Sequence, residues 1–229
     1  MRHLYLPLLL LALLFGSVSA QNTQLDLSNP DVLERFSQNP PLPPNPNVIQ
    51  TNNAPEQDCP GAIRMCSSDG TFSVSNSYFG DGLITETPTS NTVSNPVNDP
   101  FPPNNGCLKS GELNSVWLRF RIASPGDLKF VLDPTTPTGY YDWAMYEVTN
   151  NPSACSQITA NSLSPVRCNW LLSTTSTGML TPAEVTAGSY DQDNFEPPLG
   201  VSIGQEFVIL LSNWSGTAYG FFFDFNEGS

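Results

Sequence analysis

Between Val116 and Ile122 the chain alternates without a break: Val116, Leu118, Phe120 and Ile122 fall on one phase, Trp117, Arg119 and Arg121 on the other. A period of two is the mark of a strand with one face buried. Gly111 and Asn114-Ser115 before it supply turn chemistry, and Ser124-Pro125-Gly126 ends it. Leu128, Phe130 and Leu132 then resume the alternation. Two such runs joined by a short Pro-Gly turn read as a hairpin.

The same pattern recurs along the chain. Phe72 and Val74 are in phase in a short run after Cys66. Tyr140 to Val148 is apolar on both phases, which predicts a strand covered on both sides. Val166 to Leu172, Phe207 to Leu211 and Tyr219 to Phe225 are further strand candidates, the last with Tyr219, Phe221, Phe223 and Phe225 on one face. Gly80-Asp81-Gly82 reads as a turn. Thr87 to Asn105, with Pro88, Pro96, Pro100, Pro102 and Pro103, is a long loop that no central strand can occupy. Ser173 to Glu196 reads as polar and irregular. The expectation is an all-β chain, an antiparallel β-sandwich or jelly roll of about eight or nine strands.

The beginning of the chain reads differently. Met1-Arg2-His3, an apolar run from Leu4 to Phe15 and the small residues Gly16 to Ala20 have the form of a secretory signal peptide, cleaved before Gln21. Residues 21–57 form a Pro/Asn-rich extension with a short helix over Asn29 to Phe36 and a spacer of five prolines from Asn39 to Asn47. The β-sandwich is expected over residues 58–229. No second segment is long and apolar enough to span a bilayer, so a secreted or cell-surface protein is expected.

Composition removes several function classes. Eight basic residues stand against 21 acidic ones, for a net charge of −13; loss of Arg2 with the leader makes it −14. Nucleic acid and anionic membranes should be repelled. The single histidine is His3, inside the leader, which excludes Ser-His-Asp and Cys-His nucleophile systems and histidine metal sites from the mature chain. A carboxylate pair of the glycosidase kind remains chemically open, with Glu112, Asp142 and Asp224 in or beside strands. The five cysteines, Cys59, Cys66, Cys107, Cys155 and Cys168, show no zinc spacing and read as disulfide formers in an exported chain. Cys155 and Cys168 are expected to pair, closing a short loop worth about 3 kcal/mol. Cys66 then pairs with Cys59 or with Cys107, and one thiol is left over.

Several stretches together resemble a known family. Asp58-Cys-Pro-Gly-Ala-Ile63 with Cys66, Cys107-Leu-Lys-Ser-Gly-Glu-Leu-Asn-Ser-Val-Trp117, Tyr141-Asp-Trp-Ala-Met-Tyr146, Val166-Arg-Cys-Asn169, Gly204 to Ser215 and Gly220 to Phe225 are similar to the secreted β-sandwich domain of exported, gliding-associated Bacteroidota surface proteins. That domain is similar in turn to bacterial pre-peptidase C-terminal jelly rolls. The resemblance covers about Asp58 to Phe225. It implies a secreted accessory module linked to calcium or polymer binding, with no catalytic residues. The expected function is therefore non-catalytic adhesion, or binding of an extracellular polysaccharide or surface protein. The alternative is a structural subunit of a filament, surface layer or secretion-associated assembly, self-associating through the odd cysteine or a sheet edge.

Two sets of residues carry these expectations. Tyr140, Tyr141, Trp170 and Trp214 lie near loops and are candidate stacking platforms, although burial is the commoner fate of such rings. Asp142, inside a strand expected to be buried on both faces, needs a partner. Hydrogen bonds are the simpler answer. Calcium shared with Asp133, Asp191 and Asp193 is the other.

Overall fold

The computed structural model describes residues 55–65, 70–74, 80–87, 106–108, 111–136, 139–170, 175–214 and 220–225. The leader, the extension up to residue 54 with its short helix, Cys66, residues 88–105, Leu171, Leu172 and Tyr219 lie outside the described residues.

The alternating run becomes strand β3 (Val116–Arg121). It sits in a five-stranded sheet ordered β1 (Ile63–Arg64), β3, β11 (Glu206–Asn213), β6 (Tyr141–Glu147), β7 (Arg167–Asn169). A second sheet is ordered β2 (Thr71–Val74), β12 (Phe221–Asp224), β5 (Phe130–Pro134), β8 (Thr177–Met179), β9 (Phe195–Glu196). A small ribbon pairs β4 (Gly126–Leu128) with β10 (Leu199–Val201). The chain is an all-β sandwich. Most pairings are antiparallel, but β1 with β3 and β8 with β9 are parallel.

The core follows from the phases. Val116, Leu118 and Phe120 of β3, Tyr141, Trp143 and Met145 of β6, and Phe207, Ile209 and Leu211 of β11 face Phe130 and Leu132 of β5 and Phe221 and Phe223 of β12. Phe130 stacks on Phe223 at 4.4 Å and meets Trp143 edge-on at 5.0 Å. Burying each such side chain contributes roughly 1.5–3 kcal/mol.

Two expectations need correction here. The alternating runs around Ser124-Pro125-Gly126 do not form a hairpin. β3 pairs with β1 and β11, whereas β5 pairs with β12 and β8, so the turn carries the chain from one sheet to the other. Both runs alternate because they face each other across the sandwich, not because they lie side by side. Trp117, on the phase expected to meet solvent, is also fully buried. The outer face of the first sheet is covered by α1 (Ala154–Thr159) and by Cys59, Cys107 and Leu108, which pack on Trp117, Tyr146, Val208 and Leu210. That second layer is why β6 is apolar on both phases, as expected.

The outer face of the second sheet is covered over Val131 and Phe195 by α2 (Pro182–Gly188). This helix lies in a stretch read as irregular. Thr181 and Glu184 form a capping box at its start, with Pro182 at its first position, so its signature was present in the sequence.

The cysteine pairing also differs from expectation. Cys155 of α1 is bonded to Cys59, and Cys168 of β7 to Cys107. Cys155 and Cys168 do not pair with each other. Each ties the outer layer to a different earlier segment, at sequence separations of 96 and 61 residues. The folded region also begins earlier than residue 58: Pro55–Gln57 makes a 3-10 turn with Gln57 fully buried.

Candidate functional site

The two lateral sides of the sandwich are closed differently. On the β7 and β9 side, a polar network joins the sheets. Trp143 Nε1 donates to Thr177 Oγ1 at 3.0 Å, and Thr177 Oγ1 donates to the Asn194 carbonyl at 2.7 Å. Asn169 Nδ2 donates to Glu196 Oε1 at 3.2 Å. Burial pushes the Glu196 carboxyl up to about 7, against the opposing pull of Asn169 and Arg167.

On the β1 and β2 side nothing comparable joins the edges among the described residues. A cleft of about 340 Å³ opens there. Met65, Phe72, Phe120, Leu128 and Phe225 supply its apolar walls, and Arg121, Asp127 and Lys129 its polar rim. Its aromatic wall runs into the core: Phe120 and Phe225 lie 5.3 Å apart, and Phe225 lies 4.9 Å from Phe223. Phe72 and Phe225 are only half-buried. A concave apolar site of this size with a few polar groups at its rim is the ordinary form of a small ligand site. β2 carries Phe72, and Phe225 follows β12 on the phase of Phe221 and Phe223. The turn from residue 122 to 129 forms the remaining wall.

The four rings singled out in the sequence are elsewhere. Tyr140, Tyr141, Trp170 and Trp214 are 4, 7, 6 and 8% exposed. Tyr141 packs edge-on against Phe221 at 5.5 Å, and Trp170 belongs to the outer layer over the first sheet. All four are buried, and Tyr141 and Trp170 pack within the two apolar layers. The rings that do reach a cleft came from positions read only as strand phases.

The four aspartates are not brought together either. Asp142 of β6 is 1% exposed and sits opposite Ser212. Asp133, in the other sheet, accepts from Ser176 Oγ. Asp191 caps its own turn by accepting from Asp193 N at 3.2 Å. Among the described residues, no three His, Cys, Asp or Glu side chains are gathered so as to hold a metal ion.

A different acidic group does converge, at the end of the first sheet. Asp58 Oδ1 accepts from the backbone of Leu83 and Ile84, both at 2.9 Å. A Cβ on Gly82, whose φ is +78°, would stand 2.2 Å from that oxygen. Glu86 Oε1 accepts from Cys59 N at 2.8 Å, and Glu112 Oε1 from Glu86 N at 3.1 Å. Burial pushes Glu112 up to about 10, with Glu86 and Asp81 adding to it, and pushes Glu86 up to about 7. Glu112 was weighed in the sequence as one half of a catalytic pair. It is 4% exposed and Glu86 1%, and neither lines the cleft. Asp224 lies in the other sheet. The group fastens the turn at Gly80-Asp81-Gly82 to the start of the fold.

Among the described residues, no helix is long and apolar enough to cross a membrane. Neither a family model nor a curated protein matches the chain.

Proposed function

We propose that this chain is an exported, non-catalytic binding module that takes its ligand in the cleft on the β1 and β2 side. The carrying observation is the cleft itself, with half-buried Phe72 and Phe225 on its wall. Flat rings of this kind stack on sugar faces and anchor protein interfaces. Two disulfides are compatible with an oxidising compartment. The resemblance to secreted β-sandwich modules of gliding-associated surface proteins supports the same reading, in which the partner is an extracellular polysaccharide or a surface protein.

The test is retention of the purified protein on a panel of neutral and acidic glycans and on whole cells, with Ser124→Trp as the control. Ser124 is exposed on the wall of the cleft, so a large ring there fills the mouth without disturbing the core. Wild type retained and Ser124→Trp not retained is the expected result. Equal retention of both would place the ligand elsewhere.

One observation favours the structural-subunit reading. The two disulfides use four of the five cysteines, so Cys66 has no further cysteine in its own chain to pair with. A disulfide-linked dimer on a non-reducing gel, lost in Cys66→Ser, would support it; a monomer in both would remove that support.

A further inference from the structure

The net charge of −13 conceals a local inversion. Five basic residues are described: Arg64, Arg119, Arg121, Lys129 and Arg167. Three of them gather on one face. Arg64 of β1 stands beside Arg119 of β3 in register, and Arg121 follows two positions along β3. Neighbouring strands lie about 4.8 Å apart, and residues two apart on a strand share a face. Ile63 and Leu118, the preceding register pair, pack with the core, so the three arginines are on the outer face. Arg64 and Arg121 are exposed, and the Arg119 side chain is 38% exposed.

The acid they face is Glu206 of β11, opposite Arg121 and hydrogen-bonded to Arg119 Nη2. That bond, with Arg121 and Arg64 nearby, holds the Glu206 carboxyl below its ordinary range. Three guanidiniums against one carboxylate leave a positive strip on a strongly acidic chain.

The strip connects two hollows. Arg121 is a wall of the apolar cleft, and its Nη2 lies 3.4 Å from where a Cβ on Gly204 would stand. Arg119 and Glu206 line a second, more polar hollow of about 360 Å³ together with Asn150 and Asn151. An elongated track with aromatic walls at one end, guanidiniums in the middle and amides at the other suits a linear polymer better than a compact anion. Guanidinium forks match carboxylates and sulfates. Densely charged surfaces such as duplex nucleic acid or an anionic bilayer would also meet the rest of this acidic chain and be repelled. A polysaccharide with spaced charges and apolar ring faces would not.

We infer that this strip binds a linear acidic polysaccharide, its uronate or sulfate groups on Arg64, Arg119 and Arg121 and one sugar ring in the adjoining cleft. The assignment rests on the cleft being a binding site and adds the class of ligand.

The experiment titrates the full secreted chain with alginate, chondroitin sulfate and neutral dextran at several salt concentrations. Arg64→Gln with Arg121→Gln removes two exposed charges and leaves Arg119 on Glu206. Binding of alginate or chondroitin sulfate that weakens with salt, and drops about tenfold or more in the double variant at an unchanged melting temperature, is expected. Glu206→Gln, which removes the competing carboxylate, should tighten that binding about threefold. Dextran binding as tightly as the charged polymers, an unchanged double variant, or no tightening in Glu206→Gln would each overturn the inference. If Ser124→Trp abolishes dextran binding while the arginine variants change nothing, the cleft reading stands and the arginine track falls. If no glycan binds, both fall. Equal, arginine-dependent binding of duplex DNA or phosphatidylglycerol vesicles would overturn the polysaccharide assignment.

Discussion

Glu112 is held where its charge is opposed. Burial is the largest cause, and Glu86 and Asp81 add like charge to it, so the folded protein keeps this carboxyl protonated up to about pH 10 while an unfolded chain releases the proton near pH 4.5. The folded state therefore binds more protons than the unfolded state between those two values. Stability contributed by protonation is complete below about pH 4.5 and is lost as pH rises towards the folded pKa. Glu86 and Glu196, each pushed up to about 7, share the lower part of this window. Above pH 7 the remaining slope belongs mainly to Glu112. Glu112→Gln keeps an oxygen to accept from Glu86 N and loses the ionisation. It should raise stability by on the order of a few kcal/mol at pH 8 and flatten the decline between pH 7 and 9. Urea unfolding at pH 5, 7 and 9 measures this, and a variant as steep as wild type above pH 7 would count against it. None of this was visible in the sequence, which offered Glu112 only as a carboxylate beside a strand, open to pair chemistry. Burial came from Thr87 and Glu86 folding over it, a contact across 25 and 26 residues.

At the scale of elements, the strands that carry apolar phases were legible and the pieces without such phases were not. β6, β11 and β12 fall where the sequence expects them, because each buries a run long enough to show its period. β8 and β9 were missed because three and two residues show no period. Gly178 of β8 has a specific reason to be glycine. A Cβ there would lie 2.1 Å from the Phe130 carbonyl oxygen, so β8 approaches β5 as only a bare backbone can. Gly178→Ala should cost about 2 kcal/mol or more by thermal unfolding; a neutral result would mean that β5 and β8 separate easily. The disulfides belong to this scale as well. The twelve residues between Cys155 and Cys168 suggested a local loop, but Cys155 is held in α1 and Cys168 in β7, and they turn to Cys59 and Cys107 on the same outer layer. Peptide mapping without reduction should recover Cys59–Cys155 and Cys107–Cys168. Replacing either pair by serine should cost about 4 kcal/mol on the chain-entropy estimate, which grows with the long loops these bonds close. A Cys155–Cys168 peptide would overturn this pairing.

The whole molecule is built by crossing between sheets. The chain changes sheet between β1 and β2, β2 and β3, β3 and β5, β5 and β6, β7 and β8, β9 and β11, and β11 and β12. Sequence neighbours are therefore mostly facing partners, which local pattern cannot distinguish from paired ones. The cleft exists only because the β1 and β2 edges face each other after all those crossings, so no local signal could have announced it. The same non-local closure decides where the folded region starts. Gln57 is fully buried, its Nε2 donates to the Gly80 carbonyl at 2.9 Å, and its own carbonyl accepts from Ser115 Oγ at 3.4 Å. Asp58 N donates back to the Pro55 carbonyl at 3.2 Å, and Gly61 lies so close to Pro55 that a Cβ would stand 1.8 Å from that oxygen. The turn at 55–57 is thus a plug between the start of β3 and the acidic group, although it is spelled in the Pro-rich composition of the extension. Two truncations separate plug from extension. A chain beginning at Asn52 keeps the plug and should melt within about 2 °C of one beginning at Gln21, since surface removals seldom exceed half a kcal/mol. A chain beginning at Asp58 leaves a void where Gln57 sat and takes one of two donors from the Gly80 carbonyl, which keeps Ser115 N at 3.2 Å; this should lower the melting temperature by roughly 4–8 °C. Equal melting of the two truncated chains would show that Gln57 is not part of the closure. A large loss already at Asn52 would show that residues before it pack on the sandwich.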